Sequence, residues 1–129
     1  MLRLEQEVHK VKQRLKMKIN DILEKVNKLL DKQREIEHIN TKGHFIGTMT
    51  LRKSMGPYKQ CTVEISYVNM TNSTITPIIK STLMERVANN EDNPIIDNTT
   101  TDAISKFIVK TASDNNWENI KKGNLDEVK

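Results

Sequence analysis

The chain has 129 residues, of which 36% are hydrophobic and 29% charged, with a formal net charge of +4 and a single cysteine. This length and composition fit one small folded domain with an extension and exclude an internal disulfide. No apolar run reaches the ~18 residues of a membrane span, and charged residues begin too early for a signal peptide. We therefore expect an intracellular protein, cytoplasmic or nuclear, and no secretion. The few aromatic residues imply a small aliphatic core, which oligomerisation would stabilise.

Residues 1–40 contain no Gly or Pro and are rich in residues that favour a helix. Their apolar residues recur at intervals of three or four, like the a and d positions of a heptad repeat, with a stutter between Leu15 and Ile19 and a polar Gln33 at a core position. Burial against a partner helix stabilises each Leu, Ile or Val by roughly 1.5–3 kcal/mol. We predict a coiled coil with an oligomer interface of Leu4, Val8, Val11, Leu15, Ile19, Ile22, Val26, Leu29 and Ile36.

One alternative for this helix stays open. Leu23 and Leu30 each follow a residue of the predicted interface and widen the apolar stripe. A wider stripe also fits a higher-order bundle, or a single amphipathic helix that folds back onto its own globular domain. We expect the helix to end near residues 40–43, with Gly43 as a C′ residue of positive φ.

Residues 44–88 alternate between apolar and polar side chains, as strands with one buried face do. The clearest run covers residues 61–68, and turns are predicted at residues 54–58 and 69–72. Pro77 implies an edge strand or a bulge in the third strand, and Gly47 marks a close approach or a bulge in the first. Residues 83–87 are assigned to the third strand. The pattern predicts an antiparallel three-stranded meander with one dry face.

Residues 89–99 are predicted to form a loop, after which Thr100 or Thr101 caps a helix with Asp102 in its first turn. Trp117 lies in an irregular segment or a further helical turn, and residues 121–129 form a polar tail. The helix should pack on the dry face of the sheet through Ile104, Phe107, Ile108 and Thr111.

The predicted fold class is α+β: a long N-terminal coiled-coil helix, then a small antiparallel β-meander head with a C-terminal helix packed on it. The domains are 1–42 for oligomerisation, 43–120 for a globular partner-binding domain and 121–129 for a flexible tail. This order of elements is similar in outline to the small RWD-type heads of kinetochore stalks, without a diagnostic motif. A β-sandwich head of the adaptor-ear kind is a second interpretation of the strands.

Residue patterns for catalysis or cofactor binding are missing from the sequence. His9, His38, His44 and Cys61 lack metal-ligand spacing. Cys61 belongs to the apolar set of its strand, as a buried structural cysteine does. The four glycines are scattered and form no phosphate-binding loop. We therefore predict a non-enzyme without a metal or a cofactor.

A basic stretch within the first helix suggests a second function. Its residues are interleaved with the apolar ones instead of preceding them, unlike a bZIP basic region, which disfavours base readout. Our first hypothesis is a structural subunit that associates with itself or with a related helix and binds a protein through its head. The second is a nucleic-acid-associated or viral scaffold protein that contacts a polyanion through Lys10, Lys12, Arg14, Lys16 and Lys18.

Overall fold

The computed structural model describes the backbone of residues 2–53, 58–86 and 94–125, and the side chains of residues 17–52, 58–84 and 98–125. Residues 54–57 of the predicted turn (54–58), residues 89–93 of the predicted loop and residues 126–129 of the predicted tail lie outside these ranges. The fold is α+β, as predicted. Its elements are α1 (Leu2–Ile36), β1 (Gly43–Lys53), β2 (Tyr58–Asn69), β3 (Thr74–Arg86), α2 (Pro94–Ala112) and α3 (Asp114–Lys122).

The three strands form an antiparallel sheet in the order β1-β2-β3, which confirms the predicted meander. The register of β2 and β3 shifts between Ile65 and Ser66, which pair with Ile79 and Pro77. Pro77 therefore lies beside a bulge on an edge strand, where its missing N–H costs no ladder hydrogen bond. On β2, Cys61, Val63, Ile65 and Tyr67 are buried, so the sheet has the expected dry face.

The structure excludes one interpretation of the strands. Among the described residues there is a single sheet, and helices instead of a second sheet cover its dry face. The β-sandwich interpretation is therefore wrong. Alternating strands of this kind fit either a sandwich or a sheet covered by helices, because both bury one face.

α1 packs directly on β1. At Gly47 a Cβ atom would lie 2.6 Å from Ile19 Cγ2 and 3.0 Å from Leu23 Cδ1, so only glycine lets the helix approach this closely. The Asn27 side chain then accepts from Phe45 N (2.9 Å) and donates to Phe45 O (3.1 Å). Asn27 thus takes the place of a neighbouring strand along the edge of β1, a common way of covering a sheet edge.

The start and the buried face of α2 differ from the prediction. The helix begins at Pro94, not at Thr100 or Thr101, in keeping with the preference of Pro for the first helical position. Phe107 is fully buried, and its ring packs edge-on against the Phe45 ring, with the two ring centroids 5.0 Å apart. Ile104 is buried too. Ile108, however, is 50% exposed, because the buried face is centred on Phe107.

The end of α1 also differs from the prediction. The helix ends at Ile36 in a Schellman motif, in which His38 has the left-handed conformation (φ 56°) and Ile39 N donates to Arg34 O. Gly43 instead opens β1, where a Cβ atom would lie 2.7 Å from Val68 O and clash with the Tyr67 side chain. A close approach, not a positive φ, requires glycine there.

A buried polar network joins the C-terminal end of α1 to β1 and α3. The Arg34 guanidinium is buried and donates to Gly43 O (2.9 Å), to Lys121 O (3.2 Å) and to the Tyr67 hydroxyl. The Lys121 ammonium is also buried and bonds Glu37 (2.5 Å). The predicted tail is therefore wrong at residues 121 and 122, which belong to α3.

The described part of α1 belongs to the same packed unit as the sheet. One continuous core cluster includes Ile19, Leu23 and Leu30 together with the buried residues of β1, β2 and α2. The boundary predicted after residue 42 therefore does not separate two packed units. Of the two predicted placements of Trp117, an irregular segment or a further helical turn, the helical one is confirmed. Trp117 lies in α3 and is partly buried against this core.

Candidate interaction surface

The described apolar residues of α1 form two stripes. The first, the core stripe, consists of Ile19, Leu23, Val26 and Leu30; three of them are buried and Val26 is partly buried. Ile19 and Val26 are both members of the predicted oligomer interface, and both need correction. The chain's own sheet covers Ile19 at 2% exposure, and Val26 is partly buried against the same core. The helix follows the alternative interpretation of the sequence here: it folds onto its own domain.

The second, the flank stripe, consists of Ile22, Leu29 and Ile36, which recur at intervals of seven. With 100° of rotation per residue, it lies about 90° around the helix from the core stripe. Ile22 is partly buried, but Leu29 is 51% and Ile36 60% exposed. This part of the predicted interface is thus open to a partner. The side chains of the other predicted interface residues lie outside the described range: Leu4, Val8, Val11 and Leu15.

α2 extends this apolar surface. Asn27 fixes one side of α1 to the outer edge of β1, and Leu29 lies about 160° around the helix from it. Asp102 fixes one side of α2 to Ser81 of β3 (3.0 Å), and Ile108 lies about 120° around α2 from Asp102. Leu29 and Ile108 therefore lie on the sides of α1 and α2 that are turned away from these two anchors, and the two helices contact each other. Val109, 71% exposed, adds to the surface on α2.

A row of lysines borders the flank stripe. Lys18, Lys25 and Lys32 are exposed and also recur every seven residues, each four residues before a member of the flank stripe. None of them forms an ion pair with another described residue, whereas Lys28 on another side of α1 pairs with Glu24 at 3.1 Å. Lys18 is the one residue of the predicted basic stretch whose side chain is described. The others lie outside the range: Lys10, Lys12, Arg14 and Lys16.

The structure keeps apart His44 and Cys61, two of the candidate metal ligands, and the side chain of His9 lies outside the described range. His44 pairs with Val68 on β2, seven residues along the strand from Cys61, a distance of about 23 Å. His44 Nε2 lies 3.1 Å from Asp31 at an exposed site beside a shallow cleft of about 510 Å³. Burial raises the pKa of the Cys61 thiol, which disfavours the reactive thiolate. Within the described ranges, no three His, Cys, Asp or Glu residues are grouped to hold a metal.

Comparison with known proteins gave no match: no protein-family model, curated protein or solved structure is significantly similar to the chain. Within the described ranges, no helix combines the length and apolarity that crossing a membrane requires.

Sequence reasoning missed the lysine row and the contribution of α2. The seven-residue interval of the lysines was visible in the sequence, but the basic stretch drew attention to residues 10–18. The exposure of Ile108 and Val109 had no such signal, because it depends on how α2 is rotated on the sheet.

Proposed function

We propose that this protein is a non-catalytic assembly subunit that binds a helix of another polypeptide chain through the flank stripe of α1 and the adjoining surface of α2. The helix belongs to a second copy or to a different protein. The observation that carries this proposal is the exposure of Leu29 and Ile36 at heptad spacing, on a helix that already buries Ile19, Leu23 and Leu30 in its own core.

The spacing of the exposed residues supports a helical partner. Residues seven apart lie along nearly one line on a helix, which is the arrangement of a coiled-coil interface. In the sequence the same seven-residue interval continues through Leu15 and Val8, whereas Leu4 and Val11 lie in the register of the lysine row. Covering each exposed Leu or Ile side chain removes apolar surface from water at about 25 cal/mol per Å².

The flanking α2 residues support a groove-like surface. Ile108 and Val109 are the largest exposed apolar residues of the described part of α2, a helix that contacts α1. An amphipathic helix that lies in a groove between two helices contacts both walls through residues three and four apart. The partner would therefore contact Leu29 on one side and Ile108 on the other.

Site-specific photo-cross-linking tests this proposal in cells that make the protein. A photoreactive amino acid at position 29 or 36 is expected to yield a covalent adduct with a polypeptide, identified by mass spectrometry as the same chain or another. Positions 28 and 35 are matched controls, because Lys28 and Glu35 are exposed and lie about 100° around the helix from Leu29 and Ile36. Adducts at positions 28 and 35 equal to those at 29 and 36, or no polypeptide adduct at all, would overturn the proposal.

A further inference from the structure

We infer that the helix bound by this surface is acidic along one side and comes from a different protein, not from a second copy of this chain. This inference rests on the proposed function and narrows it. Its evidence is the lysine row of Lys18, Lys25 and Lys32, which stands beside the flank stripe without an anionic partner among the described residues.

The lysines occupy the position from which charges act across a helix pair. Each lies four residues before a flank-stripe residue, one turn along the same side of α1. Residues that border the apolar seam of a coiled coil pair with charges on the partner and set which partner is chosen. Asp21 lies four residues before Lys25 and Glu35 three residues after Lys32, one turn along α1, yet neither forms an ion pair with the lysines.

A second copy would not supply the missing acids. In an antiparallel pair the lysine row would face its own counterpart, and like charges repel. In a parallel pair it would face the residues that directly follow the flank stripe, which are Leu23, Leu30 and Glu37. The two leucines are buried in the core, and Glu37 is already bonded to Lys121 at 2.5 Å.

The α2 side of the surface differs from the α1 side in its charge. Four exposed residues form its rim, and none of them is charged: Thr101, Ser105, Ile108 and Ala112. The nearby Lys106 is held by Asp102 at 3.1 Å. The partner helix is therefore expected to carry acidic residues every seven positions on the side facing α1 and uncharged residues on the side facing α2. From Lys18 to Ile36 the surface is about 27 Å long, or five turns of a helix.

Binding of designed helical peptides to the full chain tests the inference. The first peptide has three heptads with leucine in the seam and glutamate in the flanking row, and the second differs only by lysine in place of glutamate. By fluorescence anisotropy at low salt, the glutamate peptide is expected to bind about tenfold more tightly, and the difference should shrink as salt rises. The double variant Lys25→Glu with Lys32→Glu should reverse the preference, and Leu29→Asp should weaken both peptides.

Several results would overturn the inference. Equal affinity of the chain for the two peptides would contradict it. So would a charge-reversed variant that changes the affinity for both peptides by the same factor. A chain that dimerises on its own, with dimerisation lost in Leu29→Asp, would leave the proposed function intact and refute the acidic partner. Tight binding of an RNA or DNA duplex that Leu29→Asp leaves unchanged would identify the lysine row as a nucleic-acid site instead. Absence of any peptide binding, together with no cross-link at position 29, would remove the proposed function as well.

Discussion

At the scale of single residues, glycine and asparagine decide how α1 meets the sheet. Gly47 was expected to mark a close approach or a bulge, and the close approach is confirmed. Nothing in the sequence predicts the role of Asn27, because the strand backbone that its side-chain amide bonds lies 18 residues further along the chain. A glycine can indicate that another element approaches the backbone closely, but it does not identify which atoms approach it.

We expect Gly47→Ala to lower the free energy of unfolding by about 1–3 kcal/mol, because the new methyl group would overlap Ile19 Cγ2. Urea denaturation measures this loss. The adjacent exposed Thr48→Val should change stability by less than about 0.5 kcal/mol. In an Ile19→Ala background, where Cγ2 is absent, Gly47→Ala should cost clearly less. An equal loss in both backgrounds would show that the helix does not contact β1 at this point.

At the scale of elements, charged side chains join α3 to α1. Lys121 Nζ lies 2.5 Å from Glu37 at the end of α1, Arg34 of α1 donates to Lys121 O, and within α3 Lys121 Nζ lies 2.7 Å from Glu118. The hydrogen bond from Lys121 holds the pKa of Glu118 below its usual range, and the hydrogen bonds to Glu118 and Glu37 raise the pKa of Lys121. These shifts determine how stability depends on pH.

We expect the free energy of unfolding to be nearly constant at neutral pH and to fall in acid. Glu118 has a lower pKa folded than unfolded, so its contribution is present above the unfolded value of about 4.3 and is lost as pH falls through the folded one. The raised pKa of Lys121 has the opposite sign: its contribution is complete below about pH 10.4 and is lost as pH rises through the folded value.

Urea denaturation across a pH series checks this expectation. Glu118→Gln should lower stability at neutral pH and flatten its decline in acid. Glu35→Gln, an exposed position without an ion pair among the described residues, should leave the pH profile unchanged. If Glu118→Gln and wild type decline equally steeply below pH 4, Glu118 does not contribute to the acid dependence.

At the scale of the whole molecule, the sequence predicted the fold class, the meander, its dry face and an edge strand or bulge at Pro77, where the register of β2 and β3 shifts. These features follow from local periodicity and from the missing N–H of proline. Both can be recognised from residues that are close together in the sequence. The division of the apolar residues of α1 between the core stripe and the flank stripe could not be predicted from the sequence. Ile19 belongs to the predicted seam, and Leu23 and Leu30 adjoin it, so periodicity alone could not separate the core stripe from the flank stripe. Only the position of β1 beneath the helix separates them.

We propose that α1 divides its apolar residues between the core of its own chain and a partner. Leu29 and Leu30, adjacent in sequence, distinguish the two roles, because Leu29 is 51% exposed and Leu30 fully buried. In urea denaturation of the purified chain, Leu30→Ala should lose about 2–5 kcal/mol of unfolding free energy, and Leu29→Ala less than about 0.5 kcal/mol. Losses of equal size would contradict the claim, since both leucines would then be serving the fold.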